Sequence, residues 1–188
     1  MWLIVGLGNP GPQYELTRHN IGFLAADFLL GSLSLKKNFG GETAKIDVAG
    51  ESCLILKPMT FMNRSGSSVQ QAMAFHKIQL SQVIIIHDEM DLALGDLRIK
   101  QGGSDGGHNG LRDITRLMGP NYIRVRLGIG RPTFKGTEAD YVLAPFKPDE
   151  IKLLEEILPK GVAAVEAIIA RGLAKAQADY QIKSQKKA

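Results

Sequence analysis

A chain of 188 residues, 44% of them hydrophobic, is long enough for one well-buried core and short for two. Its single cysteine excludes a disulfide framework, and no apolar run approaches the ~18 residues that a membrane span needs. A formal charge of +4 permits an anionic partner without requiring one, and the absence of a charged leader reads as a soluble, cytoplasmic chain.

The apolar run Leu3-Ile4-Val5 predicts a buried strand that delivers the loop Gly6-Leu7-Gly8-Asn9-Pro10-Gly11. Glycines there allow a sharp turn or close approach to a ligand, and Pro10 removes an amide donor. Ile21, Phe23, Leu24, Phe28 and Leu29 then fall at helical spacing between Asn20, as N-cap, and Gly31, as stop. Strands around Ala44–Val48 and Cys53–Lys57 form a hairpin across Ala49-Gly50-Glu51, with Cys53 read as a small buried residue. A helix is expected from about Ser65 to His76. Val83–Ile86, β-branched on both faces, predicts a central strand ending at His87-Asp88.

A second strand near Leu97–Gln101 runs into the glycine-rich stretch 102–110, followed by a short helix through Leu111, Ile114 and Met118. Arg124-Val125-Arg126-Leu127 alternates, so one face of that strand is apolar and the other cationic; an anionic ligand and plain solvent both fit such a face. An acidic helix from Asp149 to Leu158 is expected to break at Pro159, with a last helix running through Leu173. From about residue 180 a basic, mobile tail is expected. With no internal repeat or linker, the alternation predicts a single α/β domain over residues 1–188, its twisted, mixed, largely parallel sheet flanked by helices.

Two literal motif matches fail on chemistry. Gly6-x-Gly8-x-x-Gly11 spells a dinucleotide fingerprint, but Pro10 and Pro12 lack N–H groups and Asp27, the would-be ribose acid, lies inside a helical pattern. Gly102-x-Ser104-x-Gly106 spells a serine-hydrolase elbow, yet the one histidine after Ser104 is His108, too close to serve as the base. Of the histidines, His76 ends a helix, whereas His19, His87 and His108 sit at loop edges. No pair has a recognised metal-ligand spacing, so no metal is expected.

One histidine and one carboxylate suffice for hydrolysis: the imidazole takes a proton from water while the carboxylate fixes its tautomer. His19 with Asp88 is the candidate pair. Asn9, Asn63 and Asn109 each follow a strand, where an amide can donate to a developing oxyanion or simply serve as a turn or cap residue.

Four separated blocks occur in order: Gly6-Leu-Gly-Asn-Pro-Gly with Tyr14 and Thr17-Arg-His-Asn-Ile-Gly22, then Lys57-Pro-Met-Thr-Phe-Met-Asn63-Arg-Ser-Gly66, then His87-Asp-Glu-Met-Asp-Leu92, then Gly106-Gly-His-Asn-Gly-Leu111. Together they resemble bacterial-type peptidyl-tRNA hydrolases. The resemblance implies a monomeric, cofactor-free and metal-independent enzyme that hydrolyses the ester between a peptide and the 3′-terminal ribose of tRNA. It implies that His19 is the base, Asp88 its partner and Asn109 a further catalytic group. Asn9 and Asn63 would surround the ester and the 3′ CCA end, Tyr14 and Met62 would line the site, and His108 would support its loop. The pair Ser104-Asp105 departs from the small or uncharged versions of this loop expected in relatives. Between Gly95 and Lys135 eight basic residues face three acids, which suits the acceptor stem, with Lys100, Arg126 and the basic tail as phosphate contacts. Two competing readings are a non-catalytic RNA-binding relative and a metal-dependent hydrolase that a chelator would silence.

Overall fold

Strands that are apolar at every position are stable only when both faces are covered, and the fold provides this with two separate cores. The computed structural model describes residues 1–181. Its strands are β1 (Trp2–Gly6), β2 (Lys36–Asn38), β3 (Gly41–Val48), β4 (Glu51–Pro58), β5 (Val83–Glu89), β6 (Leu97–Gln101) and β7 (Ile123–Gly128). Its helices are α1 (Ile21–Leu30), α2 (Ser65–His76), α3 (Asn109–Met118), α4 (Glu138–Leu143), α5 (Pro148–Arg171) and α6 (Leu173–Asp179).

The strands form one sheet in the order β2-β3-β4-β1-β5-β7-β6. β1 pairs in parallel with β4 and β5, and β5 with β7, while the β2–β3, β3–β4 and β6–β7 pairs are antiparallel. β2, β4, β1, β5 and β7 therefore all point one way. Alternation within strands divides the side chains: Ile4, Ile55, Ile84 and Ile86 belong to the core under α1 and α5, whereas Leu3, Val5, Leu56 and Ile85 belong to the core under α2 and α3. The expected central strand at 83–86 lies between β1 and β7 and is buried throughout.

Pro159 does not break the last long helix. α5 runs continuously through it, because Leu154 and Ile157 before the proline and Val162, Val165 and Ile168 after it bury on the same core. Packing of both halves outweighs a local penalty on the order of 3 kcal/mol. Strand β2 and helix α4 were not expected: three and six residues are too short to show a period. α6 covers the exposed edge of β6, where Gln177 Nε2 and Gln181 Nε2 donate to the Ile99 carbonyl and the Ile99 N–H donates to Gln181 Oε1. Of the basic tail expected from about residue 180, all but the first two residues lie outside the described residues. Among the described residues no helix is long and apolar enough to cross a membrane.

α1 lies directly against the sheet because Gly22 has no side chain. A Cβ at that position would stand 2.4 Å from the Ile86 carbonyl oxygen and 2.5 Å from Leu7 N. Gly22→Ala is expected to destabilise the protein by about 1–3 kcal/mol through overpacking against backbone. Gly161→Ala, whose Cβ would meet the movable Leu127 side chain at 3.2 Å, is expected to stay within ~1 kcal/mol of the parent. Urea unfolding midpoints of the two variants check the contrast.

Candidate active site

The contact between α1 and the sheet decides where polar groups can gather. A Cβ on Gly6 would lie 2.3 Å from the Gly22 carbonyl oxygen, and Phe23 N donates to Leu7 O at 3.1 Å while Leu7 N donates to Ile86 O at 3.0 Å. The glycines of the opening loop thus serve helix packing; Gly8 similarly faces the Phe23 ring. Asp27 lies in α1, paired with Lys57, and not at the end of a strand where a ribose would be held. The turn Arg18–Asn20, just before α1, is thereby carried over the C-terminal ends of β1 and β5.

Arg18 locks that turn from the other side. Its buried guanidinium donates to the carbonyls of Tyr141, Ala144 and Pro145 at 3.2–3.3 Å and to Glu150 at 2.8 Å, and stacks 4.3 Å from the Tyr141 ring centroid. The same Glu150 oxygen accepts the Lys147 N–H that opens α5. Tyr14 contributes backbone here, its carbonyl accepting the Thr17 N–H and hydroxyl.

Asp88, at the end of β5, is 4% exposed and gathers three imidazoles. His19 Nδ1 lies 2.9 and 3.0 Å from its two carboxylate oxygens, and His108 Nε2 lies 2.8 Å from Oδ1. An ionised carboxylate only accepts, so both facing nitrogens are N–H donors and His19 Nε2 is left with its lone pair. His87, expected at a loop edge, is instead a wholly buried strand residue that donates from Nδ1 to the Asp88 carbonyl at 2.7 Å. Burial first, then the neighbouring His108, pushes His87 down to about 3, so it stays neutral. Burial opposes the charge on Asp88, but His19 and His108 outweigh it and hold the carboxyl well below the usual range. Burial likewise opposes protonation of His19, yet the Asp88 charge and hydrogen bond prevail and raise it above its ordinary value. His19, Asp88 and His108 bring ligand-capable atoms within 4.8 Å of one another, but as two N–H donors sharing one acceptor; a metal would have to displace both protons.

Asparagines form a second network. Asn20 stands at the head of α1 without capping it; its side chain accepts the Asn9 N–H at 2.8 Å and donates to the Asn9 carbonyl at 3.0 Å. Asn9 Oδ1 accepts the Met62 N–H at 2.8 Å, which leaves Nδ2 as the donor for a ligand. Phe61, just before, holds a left-handed φ of 61°, a strain of roughly 1–3 kcal/mol that aims Met62 and the exposed Asn63. Met62 packs against Gly110, at the start of α3, where a Cβ would come within 2.6 Å of Sδ.

A cavity of about 340 Å³ opens beside His19, with Asp88, His108 and Asn109 on one wall and Glu138 and Val142 of α4 on another. Asn9 and Asn20 instead border a neighbouring depression with Pro10 and Lys57. The cationic face of β7 is spent internally. Arg124, buried, donates to the Ser104 and Gly103 carbonyls at 2.6 and 2.7 Å and anchors the glycine-rich loop, and Arg126 is paired with Glu89 at 2.9 Å. Lys100 is exposed. Sequence reasoning missed Arg18, Asn20 as a bridge, Arg124 and α4, whose partners lie 11 to 132 residues away.

A neutral imidazole backed by a buried carboxylate, at the rim of a cavity where parallel strands end, is the equipment of a general-base hydrolase on an α/β scaffold. The chain belongs to the peptidyl-tRNA hydrolase family, whose sequence profile matches residues 3–188. It is 46% identical over 185 residues to the peptidyl-tRNA hydrolase of Bdellovibrio bacteriovorus, covering 96% of this chain and 99% of that one. It is also 46% identical over 188 residues to that of a Sulfurovum species, covering 98% and 97%. The crystal structure of peptidyl-tRNA hydrolase from Acinetobacter baumannii matches with a TM-score of 0.92 at 37% identity, covering 98% of this chain and 96% of the other.

The raised His19 ring sets a test: a base that must be neutral to act should make kcat/KM fall as pH drops through a midpoint above the ordinary imidazole value. In Asp88→Asn the raising charge is gone while the opposing burial remains. That variant is expected to lose at least ~100-fold in kcat/KM and to move the midpoint down from the parent's, read from pH–rate profiles.

Proposed function

We propose that this chain hydrolyses the ester between a peptide, or an N-blocked amino acid, and the 3′-terminal ribose of tRNA, with His19 as general base. The observation that carries the reading is the double contact of His19 Nδ1 with Asp88, which leaves Nε2 as an oriented, unprotonated acceptor. Water gives a proton to Nε2 as its oxygen attacks the ester carbonyl. Asp88 steadies the imidazolium that forms, and an amide donor from Asn109 or Asn63 meets the oxyanion, a contribution of roughly 3 kcal/mol per donor in hydrolases. Collapse of the tetrahedral species breaks the bond to the ribose oxygen, which takes the proton back from His19. Peptide acid and tRNA are released, and the balance needs neither cofactor nor metal.

Asn9 offers Nδ2 to the terminal ribose, with Met62 and Tyr14 shaping the surroundings of the CCA end. The cationic surface from β6 to α3, with Lys100 exposed on it, binds the acceptor stem through phosphates and without reading bases, as an enzyme serving every tRNA requires. Arg126 contributes there once Glu89 is shared with, or displaced by, phosphate. We propose that the enzyme works as a cytoplasmic monomer.

His19→Ala is expected to lower turnover of N-acetyl-aminoacyl-tRNA by at least ~100-fold, while EDTA leaves the parent unaffected. Parallel assays with blocked and unblocked aminoacyl-tRNA check this. Binding of tRNA without turnover by the parent would favour the non-catalytic RNA-binding reading, and loss of activity in EDTA the metal-dependent one.

A further inference from the structure

His108 stands at a junction that the dyad alone does not explain. It is the N-cap residue of α3, and its Nδ1 accepts the N–H groups of Gly110 at 3.2 Å and Leu111 at 3.4 Å. A nitrogen that accepts carries no proton, so the helix N-terminus dictates the tautomer, and the remaining N–H on Nε2 is aimed at Asp88. The acceptor it reaches is Oδ1, the same oxygen that His19 contacts at 2.9 Å. The ring is wedged between His19, 4.9 Å away by centroid, and His87, 5.1 Å away.

We propose that His108 is a positioning residue which tunes the base: by donating to the shared oxygen of Asp88 it weakens the carboxylate's hold on the proton of His19. The inference rests on His19 acting as the base. A carboxylate serving one imidazole keeps all its acceptor strength for that imidazole, whereas a second N–H on the same oxygen draws part of it away. The arrangement also ties the base to α3 and to the glycine-rich loop before it, since the same ring caps the helix. Other charged groups around the cluster have partners elsewhere: Glu89 is held by Arg126, Asp105 by Arg112, Arg18 by Glu150, and Arg124 by loop carbonyls. Glu138 of α4 faces the same cavity, and His87 is neutral and committed to a carbonyl.

Two substitutions separate the two bonds of the ring. Asn places its side-chain oxygen near the position of Nδ1, so His108→Asn keeps the cap and loses the reach to Asp88. Gln places its amide nitrogen near the position of Nε2, so His108→Gln keeps the donor to Asp88 and weakens the cap. The titration of the His19 ring, followed by NMR, and the acid limb of kcat/KM should both move up by about half a unit to one unit in His108→Asn. In His108→Gln both should stay at the parent position while the urea midpoint falls. An unmoved His19 titration in His108→Asn, or equal shifts in both variants, would overturn the proposal even if activity dropped in each. If His19 titrates as described but His19→Ala retains full turnover, the general-base reading fails and the tuning of the ring by His108 survives.

Discussion

A buried carboxylate is costly unless its charge is met, and Asp88 is the group around which this site has to be built. Removing an ion from water costs several kcal/mol, and here the compensation comes from N–H donors on two other segments of chain. His19 arrives from the turn before α1 and His108 from the head of α3, while His87 donates to the backbone carbonyl of Asp88 itself. The consequence is directional: each imidazole has at least one nitrogen fixed by a partner, so the position of every proton follows from geometry.

Two sets of contacts make this convergence possible. Gly6 and Gly22 let α1 touch the ends of β1 and β5, which carries His19 to Asp88. Arg18, the neighbouring residue, reaches across to Glu150 and three carbonyls around the α4–α5 junction, so the last third of the chain holds the turn that bears the base. The site therefore depends on elements separated by more than a hundred residues, although Asp88, its imidazoles and the asparagines come from the first 109.

Strong periodic elements were readable from sequence because their burial is local in pattern: the hairpin at 41–58, α2 at 65–76 and the apolar first part of β5, 83–86, appear where the alternation and spacing put them. Pro159 misled because a missing amide is a local fact, while the buried stripe that carries α5 through it is a tertiary one. Arg124 and Arg126 show the same division between local pattern and tertiary partner. Alternation correctly gave them a common face, but nothing in the pattern says that the Gly103 and Ser104 carbonyls and Glu89 occupy that face. Asn20 occupies the predicted cap position yet spends its amide on Asn9, a partner no capping rule names.

By itself the sequence determined the family, the α/β class and the identity of His19 and Asp88 as a pair, because four ordered blocks and the ends of apolar strands are one-dimensional features. Tertiary structure decided everything that depends on which atom faces which: the shared oxygen of Asp88, the tautomers of three histidines, the end of Asn9 left to donate, and the conversion of a nucleotide-like glycine loop into a helix-packing surface. The physical reason is that hydrogen bonds are set by distance and angle, and groups 11 to 132 residues apart acquire these only when α1, α3 and α5 dock on the same sheet.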